Sequence, residues 1–464
     1  MKIKALEICG PGFFWTWCYC LWFVPNLYGE SAVTAPGENE SWLFVLLSAA
    51  IVQFIVPLCL RKRHLSAFPL LYAIAPFLVF GGTLLIELSR ISSINGLYLS
   101  GSIVAGASSA FLWHLWGDYY ASTRNDNGEG IAFGFGATLL ASIALTSFAP
   151  PVVSCIFVAV TPLLSGGMLI ALKRMRKHAN YPPHPPAACR KTSRLAILKI
   201  CTIAFIACSI GTYSWASIDT NLLPIGHNAI PLSVATGAFF MLIAALPKYL
   251  LHEKMQTGKI FSWMLFLCIL GIALSLMGNE KIATASYIVS MAATVAFDVL
   301  LATYFISLVV KGYVTSTTAF GYSEGCICAA MFVGNVAHNS ISLGWSEDST
   351  MEIAGLVCIC LLCVLQILLN DQQACIRTVT TEPIHESELE KNCVEIAREY
   401  KLSQREYDVI LLIGKGHTPK SAANVLYISP STAQTHIKHI YQKLGIHSRT
   451  ELIEFVNLPM GKRD

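Results

Sequence analysis

Long apolar runs separated by short polar breaks fill the chain up to residue 370, and from about residue 387 the pattern changes to amphipathic helical spacing. A helix needs about 20 apolar residues to cross roughly 30 Å of hydrocarbon. By that ruler the sequence predicts twelve spans, near 12–28, 42–60, 67–86, 97–116, 131–149, 152–172, 195–215, 230–250, 260–277, 283–310, 317–338 and 351–369. Pro and Gly interrupt several of them, which membrane helices tolerate when neighbours satisfy the freed backbone groups. The eleventh, TTAFGYSEGCICAAMFVGNVAH, is the least apolar and contains Glu324. The N-terminal MKIKALEICGPGFF starts basic and turns apolar, as a signal peptide does. Its apolar part is long and aromatic and lacks a small-residue cleavage site, so it reads as the first span.

Composition agrees with this partition: AVILMFWYC make up 54% of the 464 residues and DEKR 13%, against about 25% charged in soluble domains. An ordinary soluble enzyme and a disordered chain are both excluded. The net charge of +4 gains meaning once it is located. With the N-terminus inside, inner segments hold eighteen Lys and Arg, among them Arg61, Lys62, Arg63, Lys173, Arg174, Lys254 and Lys311, while outer loops hold two, Arg90 and Lys281. Cations accumulate on the cytoplasmic side, so both termini are expected there, in a multi-pass protein of the cytoplasmic membrane. Most of the sixteen cysteines lie in apolar runs and behave as small hydrophobes. Cys360 and Cys363 form a C-x-x-C, a spacing that a redox or metal pair also uses, although no His or carboxylate stands beside it.

The basic, Pro-rich segment 173–194 is the longest inner connection and divides six spans from six; it reads as an extended spacer in contact with anionic lipid. Twelve spans, a six-plus-six division and a basic central loop resemble the major facilitator superfamily of transporters over about 370 residues. That family's Gly-rich, Asp-bearing loop should fall at LCLRKRHLSAF, where the basic residues are present and the Gly and Asp are not. Ionisable groups at membrane depth are costly and mark functional candidates. His114 and Asp118, near the end of the fourth span, read as solvated at an interface, and Lys199 as reaching the inner surface. Asp298 and Glu324 lie deeper. They are candidates for proton binding or for a cationic or hydroxylated ligand, the alternative being hydrogen bonds to Ser, Thr or Tyr on neighbouring helices.

In the tail, Leu389, Cys393, Ile396, Ala397 and Tyr400 recur at helical spacing and predict a lead-in helix. Start signals for four helices follow: the capping boxes Ser403-x-x-Glu406 and Ser448-x-x-Glu451, and the pairs Thr418-Pro419 and Ser429-Pro430. In the helix that begins at Pro430, Ala433, Ile437, Tyr441 and Leu444 make an apolar face and leave Gln434, Thr435 and Lys438 together on another. Residues 409–450 contain five cations, four histidines and no Asp or Glu, a charge balance suited to a phosphate backbone. A basic surface for a protein partner is the bland alternative.

Residues 402–456 resemble the LuxR-type, or GerE-like, helix-turn-helix domain. The likeness rests on Leu402-Ser403-x-Arg405-Glu406, Gly416, Ala422-Ala423, Leu426-x-Ile428-Ser429, Thr432, His436, Ile440, Lys443-Leu444-Gly445 and Arg449-x-Glu451-Leu452. The resemblance implies that 430–444 is the recognition helix, 418–426 its supporting partner and 449–457 a dimerisation face. It also implies that Gln434, Thr435 and Lys438 contact bases, with Thr432, His439 and Lys443 on phosphates. Where the family commonly has Val-Lys this chain has Ala433-Gln434; Gln pairs with adenine where Lys favours guanine. A membrane bundle ahead of such a domain resembles the membrane-bound LuxR-type regulators with twelve-span input domains.

The expectation is therefore an all-α chain in three parts: a polytopic membrane helix bundle at 1–370, a linker and lead-in helix at 371–400, and a small four-helix DNA-binding domain at 401–464. The expected function is a one-component transcriptional regulator, homodimeric on double-stranded DNA, whose bundle senses an unidentified small molecule. A transporter with a fused regulatory tail is the alternative. No nucleotide-binding Gly-rich loop, nucleophile motif or metal-ligand spacing points to an enzyme, a cofactor or a metal.

Overall fold

The computed structural model describes residues 2–23, 41–60, 65–92, 95–123, 128–175, 187–250, 257–277, 279–310, 314–344, 353–367, 385–414, 417–426 and 428–457. The linker 371–384, the middle of the central loop at 176–186, the loop cations Arg61, Lys62, Arg63, Arg124, Lys254 and Lys311, and Lys415 and Gly416 lie outside them. The described residues are all-α, without a strand, and the chain divides into two compact units, Met1–Thr380 and Thr381–Asp464.

Among its described residues the first unit holds twelve helices. In chain order they are α1 (Lys2–Phe23), α2 (Ser41–Cys59), α3 (Leu71–Ser92), α4 (Asn95–Thr123), α5 (Gly128–Phe148), α6 (Pro151–Met175), α7 (Ala187–Ala216), α8 (Ala229–Leu250), α9 (Thr257–Ser275), α10 (Glu280–Val310), α11 (Ser316–Gly344) and α12 (Ile353–Ile367). Eight of these, α2 to α8 and α10, are long and apolar enough to cross a membrane, and α9 and α12 add shorter apolar stretches. Large apolar side chains such as Leu58, Phe77, Ile156, Trp263 and Ile367 stand on the outside, a surface suited to lipid tails and unfavourable in water. The unit is a multi-pass membrane bundle.

Helix packing repeats with a shift of six. As α3 packs on α4, α9 packs on α10; as α2 packs on α4, α8 packs on α10; as α1 packs on α5, α7 packs on α11. The two halves meet along two seams related by the same shift, α2 against α11 and α8 against α5. Glycine permits the approach at both. A Cβ on Gly321 of α11 would strike the Gln53 carbonyl oxygen of α2, and one on Gly136 of α5 would fall 2.6 Å from the Ala238 carbonyl oxygen of α8. Close backbone contact of this kind drives helix association in lipid, where the tails are as apolar as the side chains. Every residue of α10 from Ser290 to Val309 is buried, as befits a helix apolar on all sides.

α1 and α11 fall outside those eight: α1 carries Lys2, Lys4 and Glu7, and α11 carries Glu324, Asn335 and His338. Both are flanked by protein, α1 by α5 and α6, α11 by α2 and α7. Glu7 accordingly accepts a hydrogen bond from the Tyr119 hydroxyl at 2.6 Å. His114 and Asp118, expected at a solvated interface, are buried. The physical reason is that α4 continues to Thr123 and is covered by α11, whose Ser316 hydroxyl donates to Asp118 Oδ1 at 2.9 Å.

The second unit comprises α13 (His385–Glu399), α14 (Gln404–Gly414), α15 (Pro419–Leu426), α16 (Pro430–Leu444) and α17 (Arg449–Asn457). It has a core of its own, to which α13 contributes Cys393 and Ile396, α14 Val409 and Ile413, α16 Ile437 and Ile440, and α17 Leu452 and Val456. The lead-in helix is thus part of the packed tail. On α16 the buried positions are Ala433, Ile437, Ile440 and Leu444, spaced four, three and four as a 3.6-residue period requires; Tyr441 is half-buried at the edge of that face.

Candidate DNA-binding face and membrane cavity

Local chemistry fixes the ends of α16. Ser429 Oγ accepts the Thr432 amide at 3.1 Å, Pro430 occupies the first turn, and Gly445 closes the helix at φ 70° with its N–H on the Tyr441 carbonyl. A left-handed residue there is one that glycine adopts without steric cost. α14 starts on a reciprocal capping box, with the Ser403 amide donating to Glu406 Oε2 at 2.7 Å and the Glu406 amide to Ser403 Oγ at 3.3 Å. At α17 the Glu451 amide donates to Ser448 Oγ at 3.1 Å, and the Glu451 carboxylate reaches back to the His447 amide at 2.8 Å.

Rigidly held in this way, α16 exposes Gln434, Thr435 and Lys438. The Thr435 hydroxyl is fixed by donation to the Ser431 carbonyl at 3.0 Å. No hydrogen bond or ion pair engages Gln434 or Lys438 among the described residues, so both are available to a partner in solution. The three residues expected on phosphates are placed differently. Thr432 Oγ1 lies 2.7 Å from Ser429 Oγ, within the cap. His439 Nδ1 lies 3.9 Å from Glu406 Oε1, an ion pair when the imidazole is protonated. The Lys443 ammonium donates to Glu406 Oε2 at 2.7 Å and to the Lys401 carbonyl at 3.0 Å, binding α16 to the start of α14. Burial pushes the Glu406 carboxyl up, but the hydrogen bonds from Lys443 and from Ser403 outweigh it and hold the group below the ordinary carboxylate range.

The membrane unit contains a cavity of about 640 Å³, counting the space at its open mouth, lined by α1, α2, α4, α10 and α11. Asp298 and Glu324, distant in sequence, meet there. Asp298 Oδ2 accepts the Tyr19 hydroxyl at 2.9 Å and the Trp15 indole N–H at 3.1 Å, and the buried Glu324 carboxyl lines the same cavity. Part of the expected alternative is therefore realised: Asp298 bonds to a neighbouring tyrosine and ties α1 in one half to α10 in the other. Sequence reasoning missed Gln53. Fully buried on α2, it lines the cavity with neither amide atom hydrogen-bonded. Its signal was present as an amide side chain in the otherwise largely apolar run LFVLLSAAIVQFIVP. The aromatic wall was also legible, as Phe14, Trp17, Trp22 and Phe23 crowd the first span.

Fold and sites together define a class: a multi-pass membrane bundle followed in the same chain by a helix-turn-helix domain of the LuxR type. Residues 400–456 match the family of bacterial regulatory proteins, luxR family. Rv0890c of Mycobacterium tuberculosis, which carries an HTH-type transcriptional regulator name, is 43% identical over 53 residues, covering 11% of this chain and 6% of its own. The HTH-type transcriptional regulator MalT of Yersinia pestis is 40% identical over 60 residues, covering 13% of this chain and 7% of its own. The chain thus spans about 6 to 7% of the length of the curated relatives it matches, all of it in the tail. The fold resembles the human organic anion transporter MFSD10, with a TM-score of 0.53, 14% identity, and coverage of 79% of this chain and 98% of the other. It also resembles the major facilitator superfamily transporter FucP in its outward conformation, with a TM-score of 0.50, 11% identity, and coverage of 80% and 98%. The bundle has the major facilitator fold.

Proposed function

We propose that this protein is a membrane-anchored one-component transcription regulator, in which a small molecule held in the bundle cavity controls DNA binding by the tail. The observation that carries the reading is the exposed Gln434–Thr435–Lys438 face on a helix capped at both ends, joined in one chain to a bundle whose cavity holds two carboxyl side chains. In the major groove, Gln pairs bidentately with adenine and Lys with guanine N7 and O6. Thr432 and His439 flank that face and serve phosphates; Lys443 reaches a phosphate by exchanging its contact with Glu406. Two copies bind two half-sites, with α17 as the contact between tails. The bundle lies in the cytoplasmic membrane with both termini in the cytoplasm, a reading supported by the distribution of Lys and Arg.

The test is gel-shift of residues 381–464 on duplexes recovered by crosslinking the full chain in its own cells. Sequence-selective retention whose affinity falls steeply with salt is expected, and a tail that ignores every recovered duplex at low ionic strength overturns the reading. A second reading, a working transporter with a regulatory tail, draws on the paired carboxyl groups in the cavity. Flux in vesicles that is abolished by Asp298→Asn or Glu324→Gln favours it; ligand binding without flux favours the sensor.

A further inference from the structure

The cavity joins three features that a structural role leaves unexplained. Asp298 and Glu324 line one buried cavity, where neighbouring carboxyl groups do not both ionise and ionisation of one leaves a single negative charge. The donors to Asp298, Trp15 and Tyr19, are neutral, and no Lys, Arg or His lines the cavity among the described residues. A buried charge without a counter-ion is costly. Gln53 adds an amide with an unused donor and an unused acceptor at the same wall. The rest of the lining combines aliphatic and sulfur-bearing side chains such as Leu46 and Met331 with an aromatic group on α1 and α2 that includes Trp17, Trp22, Phe23 and Trp42. Indole and phenyl faces attract a cation and tolerate an apolar body, and they give nothing to an anion.

We infer that the ligand of this cavity is a small organic monocation, an arylalkylammonium in chemical class, whose charge is set against Asp298 and Glu324 and whose body lies among the tryptophans, with Gln53 receiving a neutral hydrogen-bonding substituent. This rests on the reading of the bundle as the input site of a regulator and gives that input its chemistry. An anion of the same shape is excluded by the carboxyl pair, and a neutral isostere leaves the pair's charge uncompensated.

The experiment uses the full chain in lipid nanodiscs and three probes of one shape: phenethylammonium, phenethyl alcohol and phenylpropionate. Binding is read by calorimetry and by quenching of tryptophan fluorescence. The ammonium ion is expected to bind about tenfold or more tightly than the alcohol, with the carboxylate weakest. Asp298→Asn brings the ammonium ion and the alcohol to similar affinity; if that variant does not fold, Trp42→Leu reads the same site by weakening the ammonium ion more than the alcohol. Equal binding of all three, preference for the alcohol or the carboxylate, or binding of none overturns the inference. Retention of genomic duplex by the same nanodiscs separates the two readings. Duplex held without ammonium preference overturns the ligand class alone, and ammonium preference without duplex overturns the regulator alone.

Discussion

At the scale of single residues, the tail assigns its two central lysines different work. Lys438 has no partner among the described residues, whereas Lys443 is bound to Glu406 and the Lys401 carbonyl. Lys438→Ala should leave thermal unfolding of residues 381–464 almost unchanged and weaken operator binding by about 1 to 3 kcal/mol, concentrated at one base pair. Lys443→Ala should lower stability as well, because it strips a buried carboxylate of its partner. Equal effects of the two on unfolding would contradict this division. Glu406 gives the tail a pH dependence with a definite sign. Its carboxyl is held below its ordinary value of 4.5 in the folded state, so its contribution is complete above that value and fades as pH falls through the lower folded one. Urea unfolding between pH 7 and pH 3 should show stability dropping at the acid end. Glu406→Gln should cost about 1 kcal/mol or somewhat more at pH 7, since the Lys443 head is partly solvated, and should flatten the acid slope. The capping role of Glu406 was legible from Ser403-x-x-Glu406, but its bond to Lys443 was not: 37 residues separate the two, and no local spacing encodes a contact made by tertiary packing.

At the scale of elements, what the sequence revealed and what it hid divide along the same line. The ends of α14 to α17 were readable because Ser, Thr and Pro at a helix start act through atoms within three residues. The C-terminal end of α4 was not, because hydropathy falls at His114 and Asp118 while burial there is supplied by α11, about two hundred residues away. Ser429→Ala should cost about 1 kcal/mol of tail stability through loss of the cap, and a similar cost is expected for Gly445→Ala at φ 70°. Both are read by thermal unfolding, and neither alters the Gln434–Thr435–Lys438 face. In the bundle, Gly136→Val pushes a side chain against the Ala238 carbonyl, which has no flexible end to yield. Overpacking of this kind costs about 1 to 3 kcal/mol. The variant should unfold at lower temperature in detergent than Gly167→Val, whose site meets nothing within 4 Å, and indistinguishable melting would refute the tight seam.

At the scale of the whole molecule, the membrane unit and the tail each have a separate core, so any influence of one on the other passes through a change in arrangement or in assembly. The division into an apolar bundle and a soluble tail was plain in the hydrophobic pattern, because solvent selects composition over hundreds of residues. The meeting of Asp298 with Glu324 in one cavity was not, since it depends on how α10 and α11 pack on each other. A ligand shifts such a system only by its differential affinity for two states. If the shift is one of assembly, anchoring two copies in one membrane raises the local concentration of tails, and a duplex with two half-sites gains about 10² to 10⁴ in affinity over the free tail. The full chain in nanodiscs holding two copies should therefore retain a two-site duplex far more tightly than residues 381–464 do. Shortening the duplex to one half-site should remove most of that difference, and the occupant of the cavity should alter retention by the full chain while leaving the free tail unaffected. Equal retention by tethered and free tails on the two-site duplex, with or without that occupant, would show that the bundle is an anchor and carries no signal.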